Sequence, residues 1–415
     1  MMKLFYLLIL VIALSMACNA QKKSPYSLIE SYESIFKRQD AKRQELWKLK
    51  EYRKAIAIMQ DLRARYEQLD SKDQVNYNGA IQGLSYNLAC GYSLVHQIDS
   101  SLMYLQLALD KGYDNYYWIK KDSDLVNIRK DKRYEAMMKT RDFEAILKQN
   151  CTYKKQSSTV PLVAYQAKEA MELQEFRRKY KLDSVAGNGS EVVRIINLMQ
   201  WVHRAVRHDG RSYNPGDTHA DALIKVCKKE KRGVNCRMMA TILNEVYLSM
   251  GYPSHFVTCL PKDRNDPDCH VINSVYSKEL NKWLWMDPSF ETWVKDDKGN
   301  LLSIEEVRQR LVNNQPVFAS STYNHNGETY PGAGEQYLHN YMAKNLFQLQ
   351  IPAVSCAAFE SRNDFSSIKL QKLVPVKKFY IQLIPSEFNH QNVPMGELVN
   401  GVYYTNDAGQ FWRKP

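Results

Sequence analysis

The sequence predicts an α+β protein: a helical first third, then a domain of helices laid against an antiparallel sheet. Three observations carry this reading. Residues 25 to about 150 place apolar side chains at helical spacing, as in RKAIAIMQDLRARYEQL and LSYNLACGYSLVHQI. Residues 190–251 hold further amphipathic stretches, among them SEVVRIINLMQWVHRAVRH (190–208) and HADALIKVCKKEK. The pattern then changes to short alternating or apolar runs, HFVTCL, HVINSVYS and KWLWMD, separated by polar loops. Helices followed by consecutive short strands is an α+β layout.

The bulk numbers agree. A length of 415 residues suggests two or three domains. The chain is 44% apolar and 25% charged, an ordinary globular balance. A mean hydropathy of −0.50 excludes a multi-span membrane protein. The net charge is +12, but lysines and arginines are spread along the chain. The densest runs, KRQDAKRQELWKLKEYRK (37–54) and KKEKR (228–232), read as solvated helix faces or loops. No nucleic-acid-binding motif accompanies them, so no nucleic-acid partner is expected.

The N-terminus predicts export. Lys3 precedes LFYLLILVIAL, an apolar run too short to span as a mature helix, and SMAC then leads into Cys18. This resembles a bacterial lipoprotein signal, with Ser15 where leucine is usual and Met16 after it. The resemblance implies cleavage after residue 17, acylation of Cys18 and a lipid anchor. The mature start, CNAQKK, lacks an aspartate after the cysteine. The expected location is therefore the bacterial cell envelope, at the outer membrane facing the periplasm.

Within the helical part, LSYNLACGYSLVHQI followed by DSSLMYLQLALDKGY resembles a tetratricopeptide unit. Ala89, Cys90, Gly91 and Ala108 would let two helices approach closely, and Asp99 would cap the second. The earlier YRKAIAI reads as a degenerate repeat, and a plain helical bundle is the alternative. Either form offers a surface for a protein partner and no catalytic group. The polar stretch NCTYKKQSSTV (150–160) marks the expected boundary. The expected divisions are a signal peptide over 1–17, a helical domain over 18–150, a catalytic-type domain over 160–350 and a C-terminal β extension over 351–415.

There are eight cysteines, at 18, 90, 151, 227, 236, 259, 269 and 356. No CxxC and no zinc spacing occurs, and no cofactor or metal is expected. Cys259 and Cys269 flank LPKDRNDPD and are candidates for a disulfide across a hairpin. Cys236, in GVNCRMMATILNEVYLSMG, has three readings: apolar filler, disulfide half or nucleophile. Asn235 suits an N-cap, Met239, Ile242, Leu243, Val246 and Met250 form one apolar stripe, and Gly251 ends the helix. Cys236 then sits in the first turn, where free N–H groups and the helix dipole favour a thiolate. His270 opens one strand, and Asp287 closes the next, seventeen residues on. If those strands are antiparallel neighbours, the acid can orient the imidazole and the imidazole can face the thiol.

NCRMMATILNEVYLSMGYPSHFV, CHVINSVY and KWLWMDPSF, in that order, resemble the core of the transglutaminase-like superfamily. The resemblance covers roughly residues 190–290. It implies a papain-like domain with Cys236 as nucleophile, His270 as its base and Asp287 as the orienting acid. Ile272 and Ser274 depart from the family's frequent residues and are expected to shape the cleft. Cys236 N–H is one expected oxyanion donor, with Gln200 or Trp201 as candidates for the second. The loop NHNGETYPGAGEQYLHNYM (324–342) reads either as a cleft wall or as an ordinary loop. The implied activity is attack on an amide or peptide bond through a thioester, with hydrolysis of a protein or peptide favoured over crosslinking. The alternative is a silent scaffold whose helices bind an envelope partner.

Overall fold

In the computed structural model, residues 31–149, 152–155, 160–366, 368–371, 378–387 and 394–415 are described. The proposed signal, Cys18 and Cys151 lie outside them. The chain forms two compact units that divide between Asp142 and Phe143. The division falls before the expected boundary at 150, because the last helix of the expected first domain packs with the second unit.

Among its described residues, the regular elements of the first unit are all helices. Its elements are α1 (Tyr32–Lys48), α2 (Tyr52–Glu67), α3 (Ser71–Asn76), α4 (Asn78–Leu94), α5 (Ile98–Asp110), α6 (Tyr116–Lys121) and α7 (Lys132–Lys139), with a 3-10 turn at Ser123–Leu125. Helices α4 and α5 pack together, and α2 packs on α4. Ala89 and Ala108 are fully buried, as the repeat reading requires. Gly91, by contrast, faces α2: a Cβ there would lie 2.9 Å from Ile56 Cγ1. Asp99 is not the cap. Helix α5 begins two residues earlier than that cap would set, Gln97 stands at the cap without a side-chain bond, and Asp99 instead pairs with Arg133 at 2.8 Å. An acid in the first turn still complements the helix dipole. The DSDL segment turns on Asp122, whose carboxylate accepts from Tyr86 Oη (2.7 Å) and from Asp124 N–H (2.9 Å).

The second unit begins with α8 (Phe143–Gln149), β1 (Ala164–Tyr165), α9 (Met171–Lys179), α10 (Leu182–Ala186), α11 (Glu191–Ala205), α12 (Ala220–Glu230) and α13 (Cys236–Ser249). Strands β2 (Ser254–Leu260), β3 (His270–Ser277) and β4 (Lys282–Met286) follow, then β5 (Val294–Lys295), α14 (Ile304–Val312), β6 (Phe318–Ala319) and α15 (Ala333–Gln336). A π-helical turn over Tyr337–Met342 leads into α16 (Ala343–Asn345). The chain closes with β7 (Gln348–Pro352), β8 (Val354–Ser355), β9 (Tyr380–Leu383), β10 (Leu398–Val399), β11 (Val402–Thr405) and α17 (Ala408–Phe411).

Among the described residues the main sheet has seven strands in the order β10-β11-β9-β7-β2-β3-β4. It is antiparallel except between β11 and β9, which run parallel. The C-terminal strands β7, β9, β10 and β11 extend the sheet that β2, β3 and β4 form. Helix α13 lies between β2 and β3 on one side and α9, α11 and α12 on the other. The sequence reads α13 as amphipathic with a single stripe, yet every residue from Met238 to Ser249 is buried. A helix covered on both sides has no solvent face, and its polar side chains bond inward: Asn244 to Ser355, Glu245 to Ala358 N–H. Cys259 and Cys269 do not form the hairpin disulfide; all six described cysteines are free. In the β2–β3 register Cys259 opposes His270, so the neighbouring Cys269 points to the other face.

Gly91→Val should lower the denaturant midpoint of the helical unit. Overpacking costs roughly 1–3 kcal/mol, more than the gain in helix propensity, which is under about 1 kcal/mol. An unchanged midpoint would contradict the close approach of α2 to α4.

Candidate active site

Helix α13 starts at Cys236 because Asn235 caps it. Asn235 has extended φ and ψ (−76°, 171°), and its Oδ1 accepts from Met238 N–H at 3.0 Å. Its Nδ2 donates to Ser212 O (2.8 Å) and Asn214 Oδ1 (2.9 Å), tying the cap to the preceding loop. Gly251, at φ +86°, takes the chain out of the helix, its N–H bonded to Leu248 O at 2.9 Å. Cys236 thus occupies the first helical position, partly buried, with the dipole behind it.

His270 is the first residue of β3, and Asp287 directly follows β4. Asn273 pairs with Met286, so the register sets Asp287 opposite Ile272, on the face that His270 also uses two residues away. Asp287 is anchored by reciprocal bonds with Thr292, N to O at 2.8 and 3.1 Å. His270 Nε2 and Asp287 Oδ2 are 2.7 Å apart, at 1% and 0% exposure. Tyr337 Oη donates to the same oxygen at 2.6 Å, and Ser289 N–H to Oδ1 at 2.8 Å. The thiol lies beside the imidazole: the His270 and His208 side chains and the Val271 N–H all act on Cys236 and draw its thiol down. Sulfur, imidazole and carboxylate therefore form one row.

The charges follow from this geometry. Burial pushes the Cys236 thiol up, but the hydrogen bonds from His208 and His270 and the His270 charge outweigh it and bring it down to about 6. Burial works against the His270 imidazolium, but Asp287's charge and hydrogen bond, with Cys236 behind them, raise it to about 10. Asp287 is held below the usual carboxylate range: burial opposes this, and the His270 charge and bonds from His270, Tyr337 and Ser289 prevail. A thiolate–imidazolium pair is the resting state between those values.

Rings enclose the imidazole. His270 lies 5.5 Å from Phe290, 5.3 Å from Tyr341 and 6.4 Å from Tyr337, centroid to centroid. Two of these come from the 324–342 segment, which forms a short helix and the π-turn rather than a plain loop, and walls the imidazole. A π-turn sets successive side chains at an unusual angle, a device common at functional sites.

Other readings need correction. Trp201 packs on Tyr180 at 5.4 Å within the helical core, and neither it nor Gln200, both on α11, is among the hydrogen-bond partners of Cys236. Ile272 and Ser274 are fully buried, and neither presents an exposed surface. The helix expected to reach 208 ends at Ala205, where Val206 turns extended (φ −139°, ψ 145°). The cause is tertiary: Asp209 N–H bonds Val234 O and Val234 N–H bonds Arg207 O, both at 2.8 Å. This pulls His208 out of the helix and beside Cys236. His208, His325 and Tyr337 were not singled out by the sequence. The one local signal was Asn326-Gly327, a hairpin-turn pair that holds His325 at its entrance. His255 is buried against Trp283 (4.8 Å), with burial lowering its imidazole to about 3. His219 stands at the N-cap of α12 without capping it, 3.9 Å from Glu245. Among the described residues no cluster of His, Cys, Asp and Glu is arranged to hold a metal.

Comparison with known proteins bears on the core. Residues 178–288 match the family model of the transglutaminase-like superfamily. A chloroplastic protein of Arabidopsis thaliana is 40% identical over 58 residues, 14% of this chain and 17% of that protein. A solved structure from Cytophaga hutchinsonii, provisionally titled a cysteine protease, is 18% identical, with 35% of this chain and 48% of that one covered and a TM-score of 0.24. The chain thus spans under a fifth of that plant protein and under half of the solved chain. Cys236, His270 and Asp287 all fall inside the segment, residues 178–288, that matches the transglutaminase-like superfamily model.

Proposed function

We propose that this protein is an exported cysteine enzyme that cleaves an amide or peptide bond of a protein or peptide through a thioester. The observation that carries the reading is the row of Cys236, His270 and Asp287, with a depressed thiol and a raised imidazole. The Cys236 thiolate adds to the carbonyl carbon, and the carbonyl electron pair moves to oxygen. His270 gives its Nδ1 proton to the leaving amine as the C–N bond breaks, leaving a thioester and a neutral imidazole. That imidazole takes a proton from water; the hydroxide displaces the thiolate, the acid leaves, and the imidazolium is restored. Asp287 stays ionised throughout and keeps the imidazole aimed, as its three donors require. Water rather than an amine is the proposed acceptor, because crosslinking needs an amine that outcompetes solvent.

The N-terminal sequence supports a lipid anchor at Cys18, and the repeat-like helices support recruitment of a protein partner. A silent scaffold is the competing reading, and labelling separates the two.

Iodoacetamide should alkylate Cys236 with a rate that rises as pH passes through about 6, where the thiolate forms, and not near 8.5 as for a free thiol. His270→Ala should move that rise upward by removing the cation. An onset indifferent to His270→Ala would support the scaffold. Peptide turnover should rise through about pH 6 and fall through about 10, where His270 loses the proton it must donate. Asp287→Asn should cut turnover by roughly 10²–10⁴-fold by leaving the imidazole misoriented. Cys18→Ser should shift the protein from the membrane pellet to the soluble fraction and abolish incorporation of labelled palmitate. Retention in the pellet would refute the anchor.

A further inference from the structure

A second imidazole at the sulfur has no role in the reaction so far described. His208 reaches Cys236 because residues 207–209 run parallel beside 233–235, bonded through Val234 on both sides at 2.8 Å. His208 opposes Val234, so alternation sends its side chain the way Cys236 points. The Asn326-Gly327 turn then grips it. Asn326 Oδ1 accepts from His208 N–H (2.8 Å), and Asn326 Nδ2 donates to His208 O (3.1 Å). Asn326 and Gly327 have φ of +55° and +87°, and His325 and Glu328 close the turn with N to O bonds of 2.7 and 3.0 Å. His325 Nε2 meets His208 Nδ1 at 2.9 Å. That leaves His208 Nε2 as a buried ring nitrogen with no hydrogen-bond partner, and His208 is among the side chains that act on the Cys236 thiol.

The protonation of that nitrogen follows from its neighbour. A thiolate only accepts hydrogen bonds, so a lone pair set against it would repel. His208 Nε2 therefore carries a hydrogen. Burial and repulsion by His208 and His203 lower His325 to about 4, so it is neutral at working pH. His325 takes either the donor or the acceptor part toward Nδ1, and in both cases Nε2–H of His208 remains a donor.

Resting on the cysteine-enzyme reading above, we propose that His208 is a further catalytic residue: its Nε2–H steadies the thiolate and then the oxyanion formed as Cys236 adds to the carbonyl. His325 is its positioning residue. The backbone N–H of Cys236, at the helix start where no intrahelical acceptor exists, is the other donor. The negative charge moves from sulfur to carbonyl oxygen in the addition step, and a donor already at the sulfur has a short way to follow it. No proton leaves His208 in the cycle, so it does not duplicate His270. The arrangement is preorganised: the bridge to Val234 and the Asn326 clamp hold the ring before substrate arrives, as electrostatic stabilisation demands.

Two probes on the full-length chain isolate this role. p-Nitrophenyl acetate acylates the thiol through a tetrahedral oxyanion; iodoacetamide alkylates it by displacement at a saturated carbon, with none. At pH 8, His208→Phe should slow acylation of Cys236 by roughly 10²-fold while alkylation falls less than about tenfold, thiolate support being the smaller share. His208→Gln, whose amide N–H can donate, should recover much of the acylation. His325→Ala should lower the same ratio by a smaller factor. Phe and Gln variants that slow both probes equally, or neither, overturn the role of His208; an unchanged ratio in His325→Ala overturns its positioning role. A wild-type chain that alkylates at Cys236 but is never acylated there overturns the enzyme reading itself. Normal wild-type acylation with an inert His208 leaves that reading standing and removes only this inference.

Discussion

The bond between His270 Nε2 and Asp287 Oδ2 organises the candidate site, because it places an ion pair where water does not reach. Taking a carboxylate and an imidazolium out of water costs several kcal/mol each, and attraction alone offsets this only when the remaining hydrogen-bonding capacity is filled. Here it is filled. Asp287 accepts from His270, from Tyr337 and from the Ser289 backbone, and His270 passes its remaining nitrogen to Cys236. The β3–β4 register, the bonds to Thr292 and the π-turn bearing Tyr337 are all needed to bring those donors to one carboxylate. Loosening any of them would leave a buried charge short of partners.

The nucleophile comes from the opposite side. Helix α13 is packed on both flanks, so its first turn is held still, and Asn235 ties that turn to the Ser212–Asn214 loop. Rigid elements thus carry Cys236, His270 and Asp287, while the surrounding wall comes from irregular chain: Phe290, the Asn326-Gly327 turn and the Tyr337–Tyr341 segment. The division has a physical logic. Reacting atoms need fixed spacing, which sheets and covered helices supply, whereas the wall that meets a substrate can vary without disturbing the row.

Much of the fold was legible because it is written in local pattern. The strands HFVTCL, HVINSVYS and KWLWM appear where the short alternating and apolar runs place them. Misreadings arose where a distant partner overrode a local preference. The apolar pattern continues past Ala205, but two backbone bonds to Val234 draw residues 206–209 into extended form. Asp99 looks like a cap, but α5 starts two residues sooner, at a Gln97 cap, and Arg133 takes the carboxylate. Cys259 and Cys269 look like a pair, but strand alternation turns them apart.

Local pattern was enough for the fold class, the helix that presents Cys236, and the order of thiol, histidine and acid along the chain, since capping, hydrophobic period and strand length act over a few residues. Long-range packing alone chose which groups surround them. His208, His325 and Tyr337 stand 28 residues before Cys236, 55 after His270 and 50 after Asp287 respectively. Their approach is set by a parallel bridge, a turn clamp and a π-turn. Hydrogen bonds between such remote segments leave no periodic trace, because a single histidine or tyrosine in a loop reads the same whether it faces solvent or a buried carboxylate.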